Sequence, residues 1–207
     1  MKILITGAGS GIGFLSALVL AKRGHKVYLT CHKEKEVKVI KQKLKSEKNI
    51  EVLKLDVTDE VDIKKVLSLN IDVLYSNAAI AYSGSILEAD MNKVEECFDV
   101  NVISNFKLVK LILRQMVDKN KGRIILTSSI AGIISVPFLG IYSATKASIT
   151  MIGKALQKEL SLIGTNVKVA IIEPGLYHTG FNQVLIDSKY DNGKYFKDIK
   201  NELYNLE

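Results

Sequence analysis

A phenol and an ammonium stand four positions apart at Tyr142 and Lys146, within the mild stretch FLGIYSATKASIT. On a helix that spacing is one turn, so both side chains reach one site. An ammonium beside a phenol favours the phenolate and pulls its pKa down from about 10, toward the range where proton transfer works best. The same spacing also fits a half-buried tyrosine beside a solvated lysine. The pair takes its meaning from what surrounds it.

A second chemical feature lies at the N-terminus, where TGAGSGIG follows an apolar run. Glycines at Gly7, Gly9, Gly11 and Gly13 let a backbone turn tightly and approach a diphosphate, whose charge then rests on the following helix N-terminus. Ile12 occupies the third glycine position of G-x-G-x-x-G, so the pattern is the narrower T-G-x-x-x-G-x-G. Cys31 and Cys97 are too far apart for a zinc motif and too few for a disulfide framework, so no metal site is expected. They fit a reducing cytoplasm.

Positioning these groups falls to a chain that alternates short β-branched runs with helical patterns. KILIT, KVYLTC, IEVLKL, IDVLYS, RIILTS and VKVAII read as strands, and continuous apolar runs of this kind suit parallel strands covered on both faces. Helices are expected near 11–23, 34–48, 59–69, 91–118 and 141–163, with a last one within 182–205. Right-handed crossovers then predict an α/β fold: one Rossmann-type doubly wound parallel sheet of about six strands, order 3-2-1-4-5-6, helices on both faces. The 207 residues suffice for a single domain.

The net charge of +7 is dispersed through amphipathic segments such as KEKEVKVIKQKLKSEK, which reads as a solvated helix face, not a nucleic-acid surface. MKILITG carries no cleavable leader pattern. Residues 124–145 carry no charge at all, long enough nominally to cross a bilayer, but Ser, Gly and Pro interrupt them. An interior wall, not a membrane span, is expected there.

With the glycine turn and the YSATK pair in place, the chain resembles the short-chain dehydrogenase/reductase family from residue 2 to about Thr179. The motifs come in the family's order: TGAGSGIG; LDVTD with Asp56 and Val57; SNAAI, with Asn77, Ala78 and Ala79, for the family's NNAG; FDVNV with Asn101; ILTSSIAG with Ser129; YSATK; and EPGLYHT with Pro174, Gly175 and Thr179. Ser129 precedes Tyr142 by thirteen positions. The resemblance implies that Gly7, Ser10, Gly11, Ile12 and Gly13 cradle the cofactor phosphates and that Asp56 and Val57 meet the adenine. Asn77 to Ala79 would lie by the ribose, and Pro174, Gly175 and Thr179 would flank the nicotinamide.

Reducing a carbonyl takes a hydride from the nicotinamide and a proton for the developing alkoxide. The resemblance makes Tyr142 the acid or base, Lys146 its tuner and the holder of the nicotinamide ribose, Ser129 the donor to the substrate oxygen, and Asn101 the holder of a relaying water. Taken singly, Ser128 and Ser129 could merely satisfy local backbone and Asn101 could cap a helix kink. A serine hydrolase is excluded for want of a G-x-S-x-G elbow and a histidine partner. His25, His32 and His178 read as surface residues, and Cys31 and His32 should point to opposite faces.

Where an NAD-binding member places an acid, after the second strand, this chain has Cys31, then His32 and Lys33. That favours NADP over NAD, with His32 and Lys33 facing the 2′-phosphate. Ala79 and Ser76 depart from NNAG and could shift the backbone near the ribose. The sequence stops soon after residue 200, so a shortened C-terminal segment, an open site and broad substrate recognition are expected. The family also pairs through its long helices, here 91–118 and 141–163, which implies a homodimer and not a tetramer. The expected activity is interconversion of a small-molecule alcohol and carbonyl; a non-catalytic dinucleotide sensor is the alternative, and an epimerase or dehydratase needs a larger C-terminal domain.

Overall fold

The computed structural model describes residues 1–175 and 194–196. Six parallel strands, β1 (Lys2–Ile5), β2 (Lys26–Cys31), β3 (Ile50–Lys54), β4 (Val73–Ser76), β5 (Arg123–Thr127) and β6 (Lys168–Ile172), lie in the order β3-β2-β1-β4-β5-β6. Helices α1 (Gly11–Lys22), α2 (Glu34–Lys43), α3 (Glu60–Leu67), α4 (Met91–Phe98), α5 (Asn105–Asp118) and α6 (Gly140–Leu162) connect them. This is the doubly wound α/β order that the alternation of runs predicts.

Successive residues of a strand go to opposite cores. Ile3 and Ile5 of β1 pack with Ala17 and Ala21 of α1 and with Val37 and Ile40 of α2. Leu4, between them, packs with Leu108 and Ile112 of α5 and with Ile149 and Leu156 of α6. Because both faces are covered, each strand must be apolar throughout, and hence it reads as a run, not an alternation.

The helix expected over 91–118 is divided: between α4 and α5, Asp99–Ser104 form a π-helical segment. The cause is in the side chains. Asn105 is buried and its Nδ2 donates to the carbonyl of Val100 at 2.7 Å, inside the helix's own ladder, and to Ala78 O at 2.9 Å. A side chain inserted this way widens the turn. It also brings Asn101, one residue into the buried wall, against the loop after β4.

The uncharged stretch 124–145 becomes β5, a 3-10 turn at Ile130–Gly132, a loop and the start of α6. It is not wholly an interior wall, since Ile130, Ile133 and Ile134 are exposed. No described helix is long and apolar enough to cross a membrane. The helix expected within 182–205 lies outside the described residues.

One buried charge fixes the turn after β3. Asp62 of α3 accepts from Lys54 Nζ at 2.6 Å, Lys65 Nζ at 3.2 Å and the backbone N–H of Asp56 at 3.1 Å. Desolvation, the largest influence on its carboxyl, pushes the pKa up, but those donors together hold it below the ordinary carboxylate range. The segment carrying Asp56 and Val57 is thereby tied to the sheet edge.

Candidate active site

The glycine turn is built at the ends of β1 and β4. Gly7 has φ of 60°, and a Cβ there would stand 2.7 Å from the Cα of Ala78; one on Gly13 would meet Asn77 Nδ2 at 2.7 Å. Glycine is required both for the left-handed backbone and for the space. Thr6, fully buried, accepts on its Oγ1 from the N–H groups of Asn77 and Ala78, each at 2.9 Å. Asn77 Nδ2 in turn donates to the carbonyls of Thr6 and Gly7 at 3.0 and 3.1 Å. Ser10 is the residue before α1, and the first N–H groups of that helix, at Gly11 to Gly13, face the place where a diphosphate would rest. This cradle fits a dinucleotide.

Beside it a cavity of about 500 Å³ is lined by Gly7, Gly9, Ser10, Cys31, His32, Lys35, Glu36, Val39 and Ile40. Of the two residues expected to face a 2′-phosphate, His32 lines this cavity. His32 Nε2 lies 3.1 Å from Asp56 Oδ2, so its side chain is engaged by a carboxylate, and Lys33 is not among the lining residues. Asp56 also accepts on Oδ1 from Thr58 N at 2.9 Å and Thr58 Oγ1 at 2.7 Å. Desolvation raises its pKa most, but these donors and His32 leave it lowered. An acid that sequence reading missed, Glu36, lines the cavity and accepts from Lys33 N at 3.3 Å. Burial, with the Glu36 carboxylate adding to it, pushes the Cys31 thiol up to about 11, so it is a neutral wall. Cys31 is buried and His32 exposed, as neighbours at a strand end should be.

At the other end α6 carries Tyr142 and Lys146, both buried. Lys146 Nζ sits 5.6 Å from the Tyr142 ring centroid and donates to the carbonyl of Thr127 at 3.1 Å. Ser129, entering the 3-10 turn, accepts from Ala131 N at 3.1 Å and acts on the phenol to favour its ionised form. The protein's own groups do not depress the phenol as expected. Burial, the largest influence, pushes its pKa up, the Cys97 thiol adds to this, and Ser129 only partly opposes it. Burial likewise pushes Lys146 down to about 8, against the Cys97 thiol beside it. Desolvation outweighs the pairing because neither group meets water.

Ser128 and Ser129 part company. Ser128 donates to the Lys146 carbonyl at 2.8 Å and pairs with Thr150 Oγ1 at 2.8 Å, a packing role, whereas Ser129 Oγ takes the local bond from Ala131 N. Asn101 is committed to structure: its Oδ1 accepts from Ile80 N at 2.8 Å, and its Nδ2 donates to Ile80 O at 3.0 Å and to Thr145 Oγ1 at 3.2 Å. Its carboxamide thus holds the SNAAI loop, while the bond inside the helix kink belongs to Asn105. Ala79 sits in that loop, clamped on both sides, and Ser76 donates to Asn105 Oδ1 at 3.0 Å, so both departures from NNAG are accommodated. Pro174 accepts from Ile130 N at 3.0 Å, placing Gly175 beyond the Ser129 turn. His178 and Thr179 lie outside the described residues. Sequence reading missed Thr6, Asn105 and Gly132, each of which also meets a segment distant in sequence. Among the described residues no cluster of ligating side chains could hold a metal ion.

The short chain dehydrogenase family model matches residues 1–189. The uncharacterised oxidoreductase YbbO of Escherichia coli is 34% identical over 92% of this chain and 72% of its own. Serine dehydrogenase from Escherichia coli superposes with a TM-score of 0.78 at 31% identity, covering 85% of this chain and 83% of that one. A short-chain dehydrogenase from Sphingobium yanoikuyae, in complex with NADPH, gives a TM-score of 0.79 at 27% identity over 89% and 74%.

The seating of the Ser129 turn on α6 is testable. A methyl at Gly132 would stand 2.8 Å from the Lys146 carbonyl carbon and 2.9 Å from the Ala147 nitrogen, both backbone. Gly132→Ala should push the turn off the helix and lower stability by about 1–3 kcal/mol, read as a lower urea midpoint. An unchanged midpoint would mean that the turn yields freely.

Proposed function

The chain belongs to the short-chain dehydrogenase family of NAD(P)-dependent oxidoreductases, and on that premise we propose that it interconverts an alcohol and a carbonyl with Tyr142 as proton donor and acceptor. The observation that carries this reading is the buried cluster at the start of α6, where Tyr142 and Lys146 stand one turn apart with Lys146 Nζ 5.6 Å from the phenol ring, and the Ser129 turn is seated on the same helix. Bound on the glycine turn, NADP or NAD supplies or takes up the hydride.

Burial keeps Tyr142 protonated at neutral pH, the form that gives its proton to a carbonyl oxygen as the new C–H bond forms. In the other direction the phenolate accepts the proton of the alcohol. Lys146, with a pKa of about 8, still carries most of its charge at neutral pH and steadies the phenolate as it forms. The Ser129 hydroxyl turns to the substrate oxygen and stabilises its developing charge. Asn101 acts through the loop it clamps. Pro174 and Gly175 follow β6 toward the same end of the sheet, where the nicotinamide would lie.

Two buried free cysteines suit the reducing cytoplasm. Ile103, Phe106, Leu111 and Met151 leave large apolar side chains exposed on the π segment, α5 and α6, which supports pairing of two copies through those helices. Sedimentation equilibrium should then give the mass of two chains; four would overturn the pairing.

Tyr142→Phe should abolish turnover of carbonyl substrates while leaving cofactor affinity nearly unchanged, since the ring stays in place. Equal turnover in the variant would remove Tyr142 from the mechanism. For the choice of cofactor, Glu36 is the acid that the end of β2 lacks, and it opposes a 2′-phosphate. Glu36→Gln should raise the NADPH-to-NADH affinity ratio about tenfold in a fluorescence titration. A ratio that does not move would place Glu36 outside cofactor selection.

A further inference from the structure

Two loops flank the start of α6, and both are apolar where they meet water. In the first, Ile86 and Leu87 are each 69% exposed; in the second, Ile133 and Ile134 are 62% and 55% exposed. Two exposed aliphatic pairs, on loops that both pack against the first turns of α6, are more than scattered surface residues.

Their position is fixed by contacts with the site itself. Ile130 follows Ser129 directly, and Gly132 lies against the backbone of Lys146 and Ala147, so Ile133 and Ile134 emerge beside the reacting groups. Across from them a Cβ on Gly140 would meet Ile86 Cδ1 at 2.7 Å, and the Gly84 N–H donates to the carbonyl of Phe138. The first loop is therefore zipped to the chain two to four residues ahead of Tyr142. Phe138 itself has φ of 64°, a costly conformation for an aromatic residue. It is retained with its ring set edge-on to Phe196 at 5.3 Å, while Glu88 accepts from the N–H groups of Tyr195 and Phe196 at 2.9 and 3.3 Å. That carboxylate is thus occupied by backbone.

Charge is missing on both sides. No Asp, Glu, Lys or Arg occurs in 73–87 or in 124–145. Of the cations near them, Lys146 is buried against the Thr127 carbonyl and the phenol, and Lys194 lies over the Tyr195 ring at 5.1 Å. Neither loop offers a cation to a substrate carboxylate or phosphate, whereas a hydrocarbon would remove aliphatic side chains from water.

We propose that the substrate carries a hydrocarbon body next to its reacting carbon, seated between the 81–87 and 130–138 loops. This rests on the oxidoreductase reading above. The test is a series of methyl ketones of increasing alkyl length, with one ketone ending in a carboxylate, assayed with NADPH and with NADH. Specificity, kcat/KM, should rise about twofold to fourfold per methylene until the mouth is filled, and the carboxylated ketone should be the poorer substrate. In the double variant Ile133→Asn, Ile134→Asn the long-to-short ratio of kcat/KM should fall at least tenfold.

A flat series, or a preference for the carboxylate, overturns the hydrocarbon mouth and leaves the oxidoreductase reading standing. Calorimetric binding of the same ketones to the cofactor complex separates the other failure. Affinity that rises with chain length in the absence of any turnover sustains the mouth and sinks the reading. A double variant that separates paired chains while keeping the long-to-short ratio would make this face an interface between copies and overturn the proposal.

Discussion

Three carboxamides hold one short loop, and both halves of the site hang from it. Asn77 ties the loop's start to Thr6 and Gly7, Asn105 takes the Ala78 carbonyl, and Asn101 pairs with the N–H and C=O of Ile80. A side-chain amide can donate and accept at once, so it can satisfy backbone that no strand or helix reaches. On one side of the loop is the glycine turn. On the other is α6, reached through the bond from Asn101 to Thr145, one residue before Lys146. Loosening this loop would move the phosphate cradle relative to the phenol.

The same burial that makes the clamp strong decides the electrostatics of the pair. Charge placed near charge would make the phenol acidic in a polar setting, but both groups sit where water cannot support a phenolate or a free ammonium. Desolvation therefore wins for each, raising the tyrosine and lowering the lysine. The protein keeps its proton on the phenol. The low dielectric that penalises the charged forms also strengthens any charge brought next to them.

Much of this was legible in the residues. Continuous apolar runs gave away the parallel strands and their order, and the glycine spacing marked the cradle, because both rest on local pattern. What escaped were groups acting across the chain. Asn105 reads as an ordinary polar residue of an amphipathic helix, yet it reaches Ala78 and splits the helix expected over 91–118. Glu36 reads as a solvated helix acid, yet it lines the cavity beside the glycine turn together with His32, which Asp56 also engages. Gly132 lies in plain sight inside ILTSSIAG, but only the approach of α6 shows why no methyl fits there.

The π segment has a consequence for how this chain can vary. Such a segment is a helix holding one residue more than its turn needs. Deleting any residue of Asp99–Ser104 would leave a regular helix with every hydrogen bond intact, and it would look harmless. Because the extra residue is taken up inside the wide turn, α4 and α5 would keep nearly their present relation, and only the backbone between them would be redrawn. The Val100 carbonyl, now taken by the Asn105 carboxamide at 2.7 Å, would return to the helix ladder, and Asn105 would lose that anchor. The length of this stretch is thus a coded quantity, as constrained as the identity of the residues within it.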